Sequence, residues 1–264
     1  MYPILTIAGR PIGTYALSAI AGILLAGWYA CWAARRRKMD DNEVIILLLV
    51  SAVGILLGGH LLYALTNLRS LLQAWLESAS LSLPERLAGL LPFFGGAVFY
   101  GGLLGGLGVG ALYLRARRQP FAPFADVVAP AIPLFHAFGR IGCFLGGCCY
   151  GIPWEGGITY TRALTPEAND IPRFPVQLLE SALLFALFFL LSWLFRREKL
   201  RGKLLPLYLA IYAVLRFFLE FLRGDAIRGA VLWFSTSQWI SLGILFALGL
   251  FALARLRRRP RLSA

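Results

Sequence analysis

Arg140 stands between glycines in Gly139-Arg140-Ile141-Gly142, within an otherwise apolar stretch. Open backbone around a guanidinium, and its planar fork of donors, suit bidentate binding of a phosphate or carboxylate. Further along, Gln177 and Glu180 lie three apart and so share a helical face. Arg216, Glu220 and Arg223 fall at i, i+4 and i+7, one stripe. Glu180 is expected to orient an arginine instead of acting as a base. Arg216 and Glu220 also read as a structural ion pair. Beside Arg140 runs Cys143-Phe144-Leu145-Gly146-Gly147-Cys148-Cys149-Tyr150-Gly151, which holds three of the four cysteines. A disulfide from Cys143 to Cys148 or Cys149 is sterically allowed, whereas a Cys148–Cys149 bridge would be strained. Thiolates activated by Arg140, thiol–disulfide chemistry and plain packing among glycines are the other readings. His136 with the three thiols would make a Cys3His set, but the spacing matches no standard zinc pattern, so no metal is expected. His60, alone in an apolar run, reads as a hydrogen-bonded core residue.

The elements carrying these residues are membrane spans. Of 264 residues, 59% are hydrophobic and 15% charged, against about a quarter charged in a soluble domain. That balance excludes an ordinary soluble enzyme and a disordered chain. It also excludes a nucleic-acid binder, despite the net charge of +13. Apolar runs of about 20 residues fall at 12–34, 44–65, 91–114, 121–150, 176–195, 204–222 and 231–254. The fourth is interrupted by Pro123, Pro130 and Pro133. The period-two alternation of a barrel is absent, which leaves an all-α polytopic bundle of seven transmembrane helices in a single integral membrane domain. Leu68–Leu76 is apolar enough to lie in the membrane interface, and reads equally as a connecting loop with a helical turn.

Charge orients the bundle. Arg35-Arg36-Arg37-Lys38, Arg115 with Arg117 and Arg118, a run from Arg196 to Lys203, and a run from Arg255 to Arg261 each follow an odd-numbered span. The positive-inside rule puts the N-terminus outside and the C-terminus in the cytoplasm. Because the first basic cluster follows the first apolar run, that run is not expected to be a cleaved signal peptide. The topology brings Arg140, Gln177, Glu180, Arg216, Glu220 and Arg223 to one depth near the outer face. Buried ionisable groups at a shared depth mark a polar cavity, and an anionic phospholipid headgroup is the ligand expected there. The third span is rich in glycine: Gly102, Gly106 and Gly110 fit close helix packing, and Gly101-Gly102 after Tyr100 would also admit a ligand close to the backbone. No phosphate-loop, His-Glu-x-x-His or Gly-x-Ser-x-Gly pattern appears.

In order and spacing these residues resemble the bacterial prolipoprotein diacylglyceryl transferases, over nearly the whole chain from Tyr15 to about Ser241. Gly139-Arg140-Ile141-Gly142 through Gly151 resembles the family signature, and Pro175-Val176-Gln177-Leu178-Leu179-Glu180 its Pro-x-Gln-Leu-Tyr-Glu motif. Tyr212, Arg216, Glu220 and Arg223 are similar to its sixth-span pattern. Tyr15 falls on an early tyrosine, and Ser237-Gln238 with Ser241 on a late polar motif. The resemblance implies seven spans, an outward N-terminus, and transfer of a diacylglyceryl group from phosphatidylglycerol to a lipoprotein cysteine at the outer face. The signature departs from the family pattern: Cys143 and Cys148 replace asparagine and glutamate, Gly146 replaces asparagine, and Tyr100-Gly101-Gly102 replaces His-Gly-Gly.

The resulting expectation is a multi-pass transferase of the bacterial inner membrane whose active site faces the extracytoplasmic side. Arg140 and Arg216 would stabilise a departing phosphate, with Cys143, Cys148 and Tyr100 also catalytic. Tyr15, Gly142, Gly151, Gln177, Glu180, Tyr212, Glu220 and Arg223 would bind the lipid. The partners expected are a phosphatidylglycerol-like lipid and a thiol-bearing peptide or small-molecule acceptor, with no cofactor and no nucleic acid. Two alternatives stay open on residues alone: a thiol-redox or thiol-carrier enzyme using Cys143, Cys148 and Cys149, and a lipid or small-anion transport protein.

Overall fold

The computed structural model describes residues 2–96, 98–225, 230–231 and 233–257. It is mostly helical, with short two-stranded antiparallel ribbons. The chain opens on one such ribbon, β1 (Ile4–Ile7) with β2 (Arg10–Gly13), turned by Ala8 and Gly9 at positive φ. Helix α1 (Thr14–Arg36) follows and ends on Arg35 and Arg36, cations that suit the negative end of a helix dipole. Asp40 caps α2 (Asp41–Thr66) by accepting from the Asn42 N–H at 2.9 Å. Next come α3 (Leu68–Glu77), α4 (Leu83–Leu90) and α5 (Phe99–Ala116). The fourth apolar run divides into α6 (Phe121–Val128) and α7 (Ala131–Gly146). Pro130, lacking an N–H, makes the break. Pro133 is tolerated because first-turn N–H groups have no intrahelical partner. Then come β3 (Pro153–Thr159) paired with β4 (Pro172–Arg173), α8 (Val176–Arg196) and α9 (Leu204–Leu219). A ribbon of β5 (Ala230–Val231) and β6 (Phe234–Ser235) leads into α10 (Thr236–Arg257).

Six stretches among the described residues are long and apolar enough to cross a membrane: Thr14–Arg36, Asp41–Thr66, Phe121–Gly146, Val176–Arg196, Leu204–Leu222 and Thr236–Ala254. Their outer surfaces stay apolar, with Leu57 66% and Phe189 65% exposed, as expected of helices whose solvent is lipid. The third expected span, 91–114, is the exception. Helix α5 has 18 residues and starts only at Phe99, because Pro92 and Gly95-Gly96 divert the backbone before it. The last expected span also starts late: Ala230–Val231 and Phe234–Ser235 pair as a ribbon, and the helix begins at Thr236.

The chain divides into two compact units, Met1–Ala33 with Ala122–Ala264, and Ala34–Phe121. In the second unit α2 and α5 cross at backbone contact. A Cβ on Gly54, Gly58, Gly101 or Gly105 would collide with the backbone of the facing helix, the small-xxx-small geometry of membrane helices. Gly106 and Gly110 meet Ile55 and Ser51 of α2. Gly101, which sequence reasoning left open to a ligand, is closed off by Gly58. His60 Nδ1 lies 2.9 Å from the Gly96 carbonyl.

In the first unit α7 packs on α8, α8 on α9, and α9 on α10. Small and hydroxyl side chains hold these seams together. Ser18 Oγ donates to the Phe138 carbonyl (2.6 Å) and Ser181 Oγ to the Ala137 carbonyl (3.0 Å). The Asp126 carboxylate accepts from the Gly202 and Leu204 N–H groups at the start of α9. The segment after α7 carries a small core, Tyr150, Tyr160 and Ala168, with Ala163 and Phe144 of α7 against it.

Candidate functional site

Three helices of the first unit carry the polar cluster. Its centre is Glu180 on α8, 2% exposed. Arg140 Nη2 of α7 lies 2.9 Å from each Glu180 carboxylate oxygen. From α9, Tyr212 Oη donates to Oε1 at 3.1 Å. One turn before Arg140, His136 Nε2 stands 3.8 Å from the same carboxylate, with its ring edge-on to Tyr212. Tyr208 stacks on Tyr212 one turn away. The second guanidinium, Arg216, lies within electrostatic reach of Glu180 and His136, so both arginines belong to one cluster. Arg216 Nη2 donates to Ser237 Oγ of α10 at 3.1 Å and lies 2.5 Å from a Glu220 oxygen.

Each arginine keeps one donor without a partner among the described residues: Arg140 Nε and Arg216 Nη1, both buried. A buried donor left unpaired costs about 1–3 kcal/mol. An acceptor supplied from outside, such as the oxygens of a phosphate diester, would satisfy both.

The loop after α7 frames this centre. Gly147 at φ 72° ends the helix in the left-handed region, where only glycine is unstrained. Cys149 follows at φ 56°, and the Sγ atoms of Cys143, Cys148 and Cys149 all lie within 4.8 Å of one another. No disulfide joins any of the four cysteines, so the Cys143–Cys148 and Cys143–Cys149 bridges allowed by spacing are not formed. Hydrogen bonds from Cys143 and Cys148, together with the Arg223 guanidinium beside it, hold the Cys149 thiol well below the ordinary thiol range. The same sharing with Cys143 and Cys149 pushes Cys148 up. His136 does not complete a Cys3His set, because it is drawn to Glu180 and Tyr212 instead.

Gln177, 1% exposed, fixes the loop from α8: its Nε2 donates to the Cys148 carbonyl (2.9 Å) and its Oε1 accepts from Tyr160 (3.3 Å). Arg223 leaves the Arg216 stripe; it pairs with Asp225 through Nε and Nη2 at 2.9 and 2.7 Å, and its backbone bridges Gly151. Gly151 has a packing reason to be glycine, since a Cβ there would strike Phe174 and Leu222 backbone. Gly142 lets α1 approach: a Cβ would sit 3.0 Å from Tyr15 Cδ2 and 3.3 Å from Ser18 Cβ. Tyr15 lies within electrostatic reach of all three thiols and of Arg140. The Tyr100 side chain, expected to be catalytic, lies outside the described residues. Sequence reasoning missed Arg173, which donates to the Ala168, Gly151 and Glu167 carbonyls and stacks on Tyr150. Its position in a polar loop offered no signal. His136, weighed only as a metal ligand, and Asp225 were missed too.

These features define a multi-pass membrane protein with a buried network of arginines and carboxylates among its helices and three cysteines gathered where α7 ends. A sequence profile of the family prolipoprotein diacylglyceryl transferase matches residues 3–255, and the chain belongs to that family. It is 37% identical over 213 residues to the phosphatidylglycerol–prolipoprotein diacylglyceryl transferase of Clostridium tetani, covering 80% of each chain. A protein of the same name, numbered 2, from Clostridium perfringens is 37% identical over 199 residues, 74% of this chain and 72% of its own. One from Geobacter sulfurreducens is 36% identical over 216 residues, 79% and 76% of the two chains.

Proposed function

We infer that the protein is a transferase that moves a diacylglyceryl group from phosphatidylglycerol to the cysteine thiol of a prolipoprotein. Its relatives carry that activity in their names. The observation that carries the reading onto this chain's residues is the pair of unpartnered buried donors on Arg140 and Arg216. Phosphatidylglycerol is a phosphodiester with one negative charge. Attack of the acceptor sulfur on the glyceryl carbon forms a C–S bond and breaks the C–O bond, and the leaving glycerol phosphate carries away one more negative charge. Donors already aimed at that phosphate stabilise the developing charge without reorganising, which is how such sites lower a barrier. In this scheme Arg140 and Arg216 hold the phosphate, Glu180 and Glu220 fix the guanidinium planes, and Tyr212 holds Glu180. Tyr15 and Gly142 flank the lipid's entry, while Gln177 and Gly151 keep the thiol loop in place. Tyr100 joins them on the family resemblance alone.

The chain is taken to form one integral membrane domain of the bacterial inner membrane. Helix α5 is its third span and completes the seven, the N-terminus is outside, and the polar cluster opens on the extracytoplasmic face. The basic clusters after alternate spans support this orientation. The thiol-redox and transport readings are not favoured, since the relatives are named as transferases.

The test is transfer from phosphatidylglycerol vesicles to a synthetic lipoprotein signal peptide with one cysteine, read by mass spectrometry as a thioether-linked diacylglyceryl peptide. The wild-type protein modifies the peptide, and Arg140→Lys falls by about 100-fold or more. An unmodified peptide with the folded wild-type protein, or full activity in Arg140→Lys, overturns the reading.

A further inference from the structure

Three thiols within 4.8 Å of one another need a reason. At a metal–sulfur distance of about 2.3 Å, trigonal or tetrahedral coordination sets its sulfurs roughly 3.8–4 Å apart. The observed cluster is within a small side-chain adjustment of that spacing. Sequence spacing hid it, because two left-handed residues, Gly147 and Cys149, fold the loop back on the helix end. For Cys149, a residue with a Cβ, that backbone costs energy, and such strain persists only where the surroundings enforce it. They do so here from three sides: the Cys148 N–H donates to the Cys143 carbonyl at 3.1 Å, Gln177 holds the Cys148 carbonyl, and Arg223 stands beside Cys149.

Charge is arranged to match. Three thiolates around a divalent ion leave a net charge of one minus. Arg140 is within electrostatic reach of Cys143 and Cys149, and Arg223 is in contact with Cys149. Cations at this range favour the thiolate, the form of cysteine that binds metals. No His, Asp or Glu joins the three sulfurs among the described residues. Three protein ligands with a vacant fourth position is the pattern of a reactive zinc centre, whereas structural sites close with four.

We propose that Cys143, Cys148 and Cys149 form a binding site for a thiophilic metal ion of the zinc class, with a fourth coordination position open to an external thiol. Binding at the three cysteines stands independently of the transfer reaction. The role of the open position rests on that reaction: an acceptor thiol entering it releases its proton to solvent and remains on the ion as a thiolate. That supplies the deprotonation for which no side chain here is an evident base. No electron transfer is involved.

Titration of the purified, reduced protein in detergent with Co2+ tests the site. Expected is a saturable one-to-one thiolate-to-metal charge-transfer band, displaced by Zn2+, retained in Cys31→Ser and lost in Cys143→Ser and Cys149→Ser. A band that never forms, or that survives in the Cys143→Ser/Cys149→Ser double variant, overturns the proposal. Because serine at these positions could disturb the loop, the wild-type protein supplies a second measurement. Zn2+ should protect all three thiols from iodoacetamide together, read peptide by peptide, while Cys31 labelling is unchanged. Equal labelling with and without Zn2+ also overturns the site. Stripping the ion with a chelator should lower peptide modification at least tenfold, with Zn2+ restoring it. Unchanged transfer after stripping overturns the acceptor role alone, and absent transfer with metal binding intact overturns the transferase reading instead.

Discussion

At the scale of single residues, the polar cluster is a buried charge network whose members depend on one another. Glu180 is shared by Arg140, Tyr212 and His136, so removing it leaves several polar groups unpaired at once. Breaking a buried pair by deleting one partner costs about 3–5 kcal/mol, since the survivor stays desolvated. Arg140→Gln and Glu180→Gln should therefore each destabilise strongly, and the double variant by about 1–3 kcal/mol less than their sum. Unfolding in detergent measures this; strictly additive losses would show that the two side chains are not coupled. The single residues of the pocket were legible because a charge in an apolar run needs a reason. Arg173 was not, since an arginine in a polar loop needs none until the loop is seen folded around it.

Helices supply the next scale, and their close approaches explain the glycines better than ligand binding does. The α2–α5 seam brings backbone against backbone at Gly54, Gly58, Gly101 and Gly105, whereas Gly108 on the same helix faces nothing within 4 Å. Gly58→Leu should then cost about 1–3 kcal/mol by overpacking, and Gly108→Leu nothing. Equal effects in a thermal unfolding comparison would remove the seam as the explanation. Gly102, Gly106 and Gly110 could be read from their spacing as a packing stripe. Gly54 and Gly58 could not be given a partner, because periodicity shows a face and never what that face meets. The late starts of α5 and α10 were equally hidden: hydropathy counts apolar residues, but Pro92, Gly95, Gly96 and the β5–β6 ribbon decide where a helix can begin.

For the whole molecule, seven crossings require that α5 spans despite its shortness. A reporter active only outside the cytoplasm, fused after Ser82, should be active; fused after Gln119 it should be silent. The same result at both positions would leave α5 outside the set of spans and reverse the orientation of every later helix.

What the amino-acid order by itself determined is the membrane, the succession of apolar runs and the identity of the charges buried within them. Each comes from local physics: an apolar run must leave water, and a charge inside it must find a partner. Which partner it finds is non-local. The joining of Arg140 to Glu180 and of Arg216 to Ser237, the turning of His136 away from the cysteines, and the gathering of three sulfurs by two left-handed residues depend on helix packing and loop closure. Those are decided only when distant segments compete for the same space.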